Sequence, residues 1–274
     1  MIVPQHNKAF ILTHLGLGDI ILCNGLIRYI YSFYDETCLV IKRQYEPTVL
    51  ELYNDLTTLS LHLVNTDRDI SPKFGCIPAH FNKIVNGCDV YLCGFHIGTP
   101  TNLSLFPLNF YDDLAIPRHL FWNNSVVCAT RTSTELYERV HHIPYVFIHN
   151  SSSSGTLFDI DVALKHFGID KYTTLIINPL KNIYDISDSF YELAQRYTNQ
   201  SSILSFTSLI ENSRMNILTD SSIFCISILL RIKHTLNYVV TRGVTFQRLF
   251  DRASYSTDEH VDIRNKFTEI SFKQ

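Results

Sequence analysis

"AFILTHLGLGDIILCNGLIRYI", residues 9–30, decides how this chain reads. An apolar run of strand character stops at Gly16-Leu17-Gly18 and an aspartate, Asp19, follows. Apolar residues then recur at helical spacing from 19 to 34, so the stretch reads as strand, tight turn, helix. The corner is not a dinucleotide fingerprint, because Ile21 stands where the third glycine belongs and the next strand ends on the basic "IKRQ". It is not a P-loop either, since no Gly-Lys-Ser/Thr follows. What remains is a turn whose glycines let a ligand approach the backbone, with Asp19 beside it. The residues alone leave two roles for Asp19: a cap for the helix's first amides, or a general base at the mouth of a cleft.

Outward from this corner the same alternation continues. "TCLVIKR", "LSLHLVN" and "DVYLCGF" read as strands, and "EPTVLELYND" as a helix opened by Pro47. A second series begins at "PYVFIHN" and runs through "TTLIINP", the helical "DSFYELAQRYTN", "SILSFTSLIENS", "MNILTDSSIFCISILLRI", "TLNYVVTR" and a helix at "TFQRLFDR". Strands alternating with helices predict α/β architecture with parallel sheets. The change of texture between 117 and 140 divides the chain into residues 1–140 and 141–274, with a polar, frayed C-terminal tail.

The composition fits that architecture and excludes other classes. The 274 residues are 46% hydrophobic and 18% charged, with a net charge of −3. An ordinary globular protein without an electrostatic footprint for nucleic acid is expected. The longest apolar stretches fall short of the roughly 20 residues that a membrane helix needs. The N-terminus has no signal-peptide pattern, and the seven cysteines show no zinc-like C-x-x-C pair. Buried free thiols and a cytoplasmic location are expected.

Two more strand-to-loop corners carry chemistry. His149, Asn150, Ser151, Ser152, Ser153, Ser154 and Gly155 supply hydroxyls and amides that suit phosphate oxygens, or form a flexible polar loop. Asp220, Ser221 and Ser222 lie between a strand and an apolar helix, where the helix N-terminus favours an anion, or where they cap it. Glu211, read as closing a loop on the same edge, can take both hydroxyls of a ribose. "DRD" at Asp67–Asp69 and "DID" at Asp159–Asp161 have metal-binding spacing but read better as solvated turns.

The blocks "HLGLGDIILCNGLIRYI", "FYDDLAIP", "YVFIHNSSSSG" and "LIENSRMNILTDSSIFCISIL" together resemble GT-B glycosyltransferases of bacteria and large algal DNA viruses (chloroviruses), over most of residues 9–232. The resemblance implies two Rossmann-like, doubly wound domains facing a cleft. The N-terminal one would bind an oligosaccharide acceptor and the C-terminal one a nucleotide sugar. It implies an inverting transfer, with no metal or other cofactor, from a UDP-sugar such as UDP-xylose or from GDP-fucose, in viral or surface glycan synthesis. Asp19 matches the base of heptosyltransferase-like members, with Gly16 and Gly18 keeping its corner open. His149 to Ser154 match the donor loop, Glu211 the ribose contact, and Asp220 to Ser222 the loop near the diphosphate. Asn150 and the serines replace charged residues of the family, so Arg131, Lys181, Arg214 and Arg242 are candidates for the positive charge. Two other classes compete: a non-catalytic glycan- or nucleotide-binding module on the same scaffold, and an NAD-dependent enzyme, which the absent third glycine disfavours.

Overall fold

The computed structural model describes residues 2–13, 16–66, 82–94, 109–152, 155, 157–234, 236–240 and 266–272. The chain divides into two compact units, Met1–Val126 and Val127–Gln274.

Among the described residues the first unit has a four-stranded sheet in the order β3-β2-β1-β4. Its strands are β1 (Lys8–Leu12), β2 (Glu36–Lys42), β3 (Leu59–Val64) and β4 (Asp89–Leu92), and every pairing is parallel. β1 is central, and Phe10, Ile11 and Leu12 are fully buried, as expected of a parallel strand covered on both faces. Phe10 and Leu12 join Val40 and Val64 in one cluster, against which Ile84, Val90 and Leu92 pack.

The helices of this unit are α1 (Leu17–Leu22), α2 (Asn24–Tyr31), α3 (Glu46–Leu52), α4 (Asn82–Val85), α5 (Asn109–Asp113) and α6 (Leu120–Asn123). The spacing predicts one helix after the glycine corner, whereas the structure has two, α1 and α2, parted at Cys23. Tyr111 holds the junction: its buried hydroxyl donates to Leu22 O and accepts from Leu26 N, each at 3.2 Å. Gly25 permits the close approach of α2 to α6. A Cβ there would lie 2.1 Å from Leu120 O, so the two backbones touch. The buried Asn24 pairs with both backbone groups of Val126, at 3.0 and 3.1 Å.

The second unit has, among the described residues, a five-stranded parallel sheet in the order β6-β5-β7-β8-β9. Its strands are β5 (Tyr145–His149), β6 (Leu175–Ile177), β7 (Met215–Thr219), β8 (Asn237–Val240) and β9 (Thr268–Ile270). Its helices are α7 (Arg131–Glu138), α8 (Ile160–His166), α9 (Tyr191–Gln195), α10 (Thr207–Asn212) and α11 (Ser222–Leu229). α11 is buried from Ile223 to Ile228, in keeping with a helix that is apolar all round.

Three expectations change here. The division of the chain falls at 126/127 rather than 140, because α7 packs into the second unit: Ser133 Oγ meets Ser208 Oγ at 2.9 Å and Tyr197 donates to Leu136 O at 3.1 Å. The tail is not frayed at residues 268–270, which form β9 beside β8. Lys266 anchors this strand by donating to Ile228 O at 2.8 Å and to Leu230 O, while Phe267 meets Phe224 edge-on. The helix expected over 245–252 lies outside the described residues. Of the cysteines, Cys23, Cys93 and Cys225 are buried thiols as expected, but Cys38 and Cys88 are half-buried and Cys128 is exposed. Cys76 lies outside the described residues. No described helix is long and apolar enough to cross a membrane.

Candidate functional site

In open parallel sheets ligands bind outside the carboxyl ends of the strands, where the strand order reverses. Each unit has one such point. In the first it lies between β1 and β4; in the second, whose order is 2-1-3-4-5, it lies between β5 and β7.

The first unit's reversal point is the Gly16–Asp19 corner. Gly16 is extended (φ −74°, ψ 138°), and its carbonyl accepts from Ile20 N at 3.1 Å to begin α1. Asp19 is half-buried in the first turn of that helix and not at its N-cap, which is Gly16. The Asp19 carboxylate instead lies back over Gly16, where an added Cβ would be 2.5 Å from Oδ2. Gly18 is half-exposed beside it. His14 and Leu15 lie outside the described residues.

Beneath this corner are Cys23 and Cys93, both fully buried. Cys93 N donates to Leu12 O at 2.8 Å. Burial pushes the Cys23 thiol well up, and the Asp19 and Asp113 charges add to the shift; burial raises Cys93 in the same way, with help from Asp113. The thiols are therefore protonated packing groups and not nucleophiles. Asp113 itself accepts from Gly94 N at 2.9 Å and so fixes the turn after β4, where Gly94 has φ 84°. Sequence reasoning quoted "FYDDLAIP" without giving Asp113 a role. Its only sequence signal was the paired aspartates in that block.

The second unit's reversal point brings together His149 and the Asp220–Ser222 loop. His149 is 7% exposed at the end of β5, and its Nδ1 lies 3.0 Å from Ser221 Oγ and 3.3 Å from Thr219 Oγ1. Burial lowers its pKa to about 4, so the ring is neutral near pH 7. Ser221 is the N-cap of α11, but its hydroxyl turns to His149 instead of capping the helix. Ser222 opens α11 and is half-buried; Asp220 N is held by Val240 O at 3.1 Å.

At the serine loop Ser151 bridges to Leu157, and Gly155, at φ 86°, donates to Ser152 O at 3.0 Å. Ser153 and Ser154 lie outside the described residues. Asn150 is a brace: its side-chain amide donates to Phe158 O at 3.0 Å and accepts from Asn178 Nδ2 at 2.9 Å.

Glu211 does not join this edge. It sits in α10, ahead of β7, at the amino end of the strands, where its carboxylate accepts from Arg231 N at 3.1 Å and its carbonyl from Lys233 N at 3.0 Å. At about 3.3 Å of rise per residue, the length of β7 separates it from Asp220. Of the cation candidates, Arg131 is exposed and paired with Glu135 at 2.7 Å. Arg214 is at the amino edge, with its N–H on Tyr145 O at 3.2 Å, and Arg242 lies outside the described residues. Lys181 follows β6 and lines a cavity of about 820 Å³ together with Asn150. Asp159 caps α8 by accepting from Val162 N at 3.1 Å, and Asp161 is exposed in its first turn. Asp67 and Asp69 lie outside the described residues.

No protein-family profile matches the chain, and no curated protein sequence matches it. Solved structures do. The iron-containing dodecameric glycosyltransferase TibC of enterotoxigenic Escherichia coli is similar over 88% of this chain at 13% identity and a TM-score of 0.50; this chain spans 60% of its length. A glycosyl transferase family 9 protein of Veillonella parvula is similar over 88% of this chain and 82% of its own, at 10% identity and a TM-score of 0.51. The likeness shows a shared fold of Rossmann-like α/β units. It also overturns the expectation of a metal-free, cofactor-free protein, since the E. coli neighbour contains iron. The described residues do not fit such a metal: no group of three or more His, Cys, Asp or Glu among them is arranged to hold one.

Proposed function

We propose that this chain is a GT-B glycosyltransferase that moves a sugar from a nucleotide sugar to a glycan hydroxyl with inversion. The observation that carries the reading is the chemistry at the two reversal points: a carboxylate over a glycine corner in the first unit, and neutral hydroxyls and helix amides beside His149 in the second. The fold likeness to glycosyltransferases supports it.

In this reading the first unit, from its N-terminus to about residue 126, receives the acceptor, and the second takes the donor. Asp19 removes the proton from the acceptor hydroxyl. The acceptor oxygen forms its bond to the anomeric carbon as the bond from that carbon to the phosphate oxygen breaks, and the electron pair leaves with the nucleoside diphosphate. Ser151, Ser152, Ser221, Ser222 and the first amides of α11 face the charge that grows on the diphosphate, so they stabilise the transition state more than the ground state. His149 orients Ser221 through their shared hydrogen bond. The donor is proposed to be a UDP-sugar, UDP-xylose first, with GDP-fucose next. A cytoplasmic place in viral or surface glycan synthesis belongs to the same proposal.

Thermal-shift measurements against UDP-, GDP- and ADP-sugars test it. A ligand that binds only the folded state raises the melting point by mass action. One nucleotide family is expected to raise Tm by at least about 3 °C at saturating concentration. If none of the three families moves it, the reading fails.

A further inference from the structure

We infer that the amino edge of the second unit carries a binding site for a phosphate group, formed by Arg214, His141, His142 and His234. It lies apart from both reversal points, and nothing in the proposed transfer uses it.

A recess of about 220 Å³ opens at this edge, and its lining includes Tyr137, His141, His142, Asn212, Arg214 and His234. No carboxylate is among its described lining residues. Its volume is below the roughly 300 Å³ at which sites for whole small molecules begin, so it suits one small anionic group. Arg214 immediately precedes β7, and at the rise of a strand roughly 20 Å separate it from Asp220.

The charge here runs against that of the chain, whose net charge is −3. Residues 138–142, 211–214 and 231–234 carry Arg139, Arg214, Arg231 and Lys233 against only Glu138 and Glu211. Both carboxylates are engaged: Glu138 Oε2 lies 3.5 Å from His141 Nδ1, and Glu211 accepts from Arg231 N at 3.1 Å. Arg214 is exposed, and among the described residues its guanidinium forms no ion pair. His141 stands edge-on to His142, with 5.3 Å between ring centres, and beside Tyr137 at 6.1 Å. Its Nδ1 lies 2.8 Å from Glu138 O and donates to that carbonyl. Nε2 then accepts from a protonated phosphate or, in the imidazolium, donates to it.

The segments that bring these groups together are pinned from below. Ser213, Asn216 and Asn237 are buried, and Asn216 and Asn237 are register partners in β7 and β8. Ser213 Oγ meets Asn216 Oδ1 at 2.8 Å, Asn216 Nδ2 donates to Asn237 Oδ1 at 2.7 Å, and Asn237 Nδ2 donates to His234 O at 2.7 Å. A satisfied buried network of this kind is rigid, so the turn of Arg214 and the backbone of His234 are held before any ligand arrives, which lowers the cost of binding. A guanidinium fork and imidazoles from three separate segments suit a tetrahedral phosphate, which can take donors from several sides at once. A free phosphate and the phosphate headgroup of a lipid share this chemistry.

Two probes test the site on the full chain: calorimetric titration with inorganic phosphate, and sedimentation with phosphatidylcholine vesicles with and without phosphatidic acid. Arg214→Met is expected to raise the phosphate Kd at least about tenfold. His234→Gln should weaken binding in the same direction and repeats the test if Arg214→Met does not fold. Arg131→Met, at the far end of α7, should leave the affinity unchanged. If phosphate does not bind, but vesicles with phosphatidic acid sediment the chain and the two lining variants lose that binding, the site stands with a lipid as its source. A wild type that binds neither probe overturns it. So does a folded lining variant that binds as wild type does, or equal weakening by Arg131→Met, which would show diffuse charge and no site. Nucleotide-sugar affinity should be unchanged in the lining variants, so failure here leaves the transfer reading standing.

Discussion

The Asp19 carboxylate occupies the space that a side chain on Gly16 would need, with Oδ2 2.5 Å from the position of an added Cβ. The glycine is therefore required by its neighbour and not by its own backbone, since φ −74° and ψ 138° suit any residue. Gly16→Ala is expected to leave the fold intact, because only the free end of a side chain must move, and to change stability by less than about 1 kcal/mol. Turnover should fall at least about tenfold as the displaced carboxylate loses its geometry. Unchanged kcat/KM in this variant would show that the position of Asp19 does not matter.

Gly25 presents the contrasting case. Its added Cβ would meet Leu120 O at 2.1 Å and Leu120 C at 3.0 Å, and these are backbone atoms of α6 that cannot rotate away. Gly25→Ala is expected to destabilise the first unit by about 2 kcal/mol or more, measured by denaturant unfolding. A variant as stable as wild type would mean that α2 and α6 do not pack as closely as described.

His149 carries a pH dependence whose sign follows from burial. Its pKa is lowered to about 4 in the fold, against an ordinary value near 6.5. Between those values the unfolded chain binds more protons, so the group's contribution is complete above pH 6.5 and is lost as pH falls toward 4. At pH 4.5 the wild type should have lost about 2–3 kcal/mol through this residue relative to pH 7.5. His149→Gln should lack that part of the loss, and equal losses in the two proteins would contradict a buried neutral ring.

Glu211→Ala should separate structure from function. It removes the acceptor for Arg231 N, at a cost of about 1 kcal/mol, yet nucleotide affinity should not change, because Glu211 lies at the amino edge of the sheet. A tenfold weaker Kd in this variant would return the residue to the donor site.

Glu211 also shows where sequence reading stops. "LSFTSLIEN" is a short apolar run, and such a run does not distinguish a strand from a buried helix. Read as the end of a strand, it put Glu211 beside Asp220; as the 3-10 turn and α10, it puts it at the opposite edge. Elsewhere local signals sufficed. The apolar run before Gly16 and "PYVFIHN" are the central strands β1 and β5, and Asp220–Ser222 does link a strand to an apolar helix. The hydroxyl bridge of Tyr111 across Leu22 and Leu26, the Gly25–Leu120 contact and the Asn150–Asn178 brace were not legible, because each joins residues far apart in the chain. β9 was hidden for a related reason: a three-residue edge strand with half of its pattern polar is defined by its partner β8 and not by its own composition.

The most direct test is sugar transfer itself, measured with wild type and Asp19→Asn on whichever nucleotide sugar the wild type binds. The wild type should release nucleoside diphosphate and glycosylate an acceptor hydroxyl. The variant should bind the donor with unchanged Kd and turn over about 10²–10⁴-fold more slowly. A wild-type protein that binds the donor without releasing diphosphate, or an Asp19→Asn variant as active as wild type, would contradict the account.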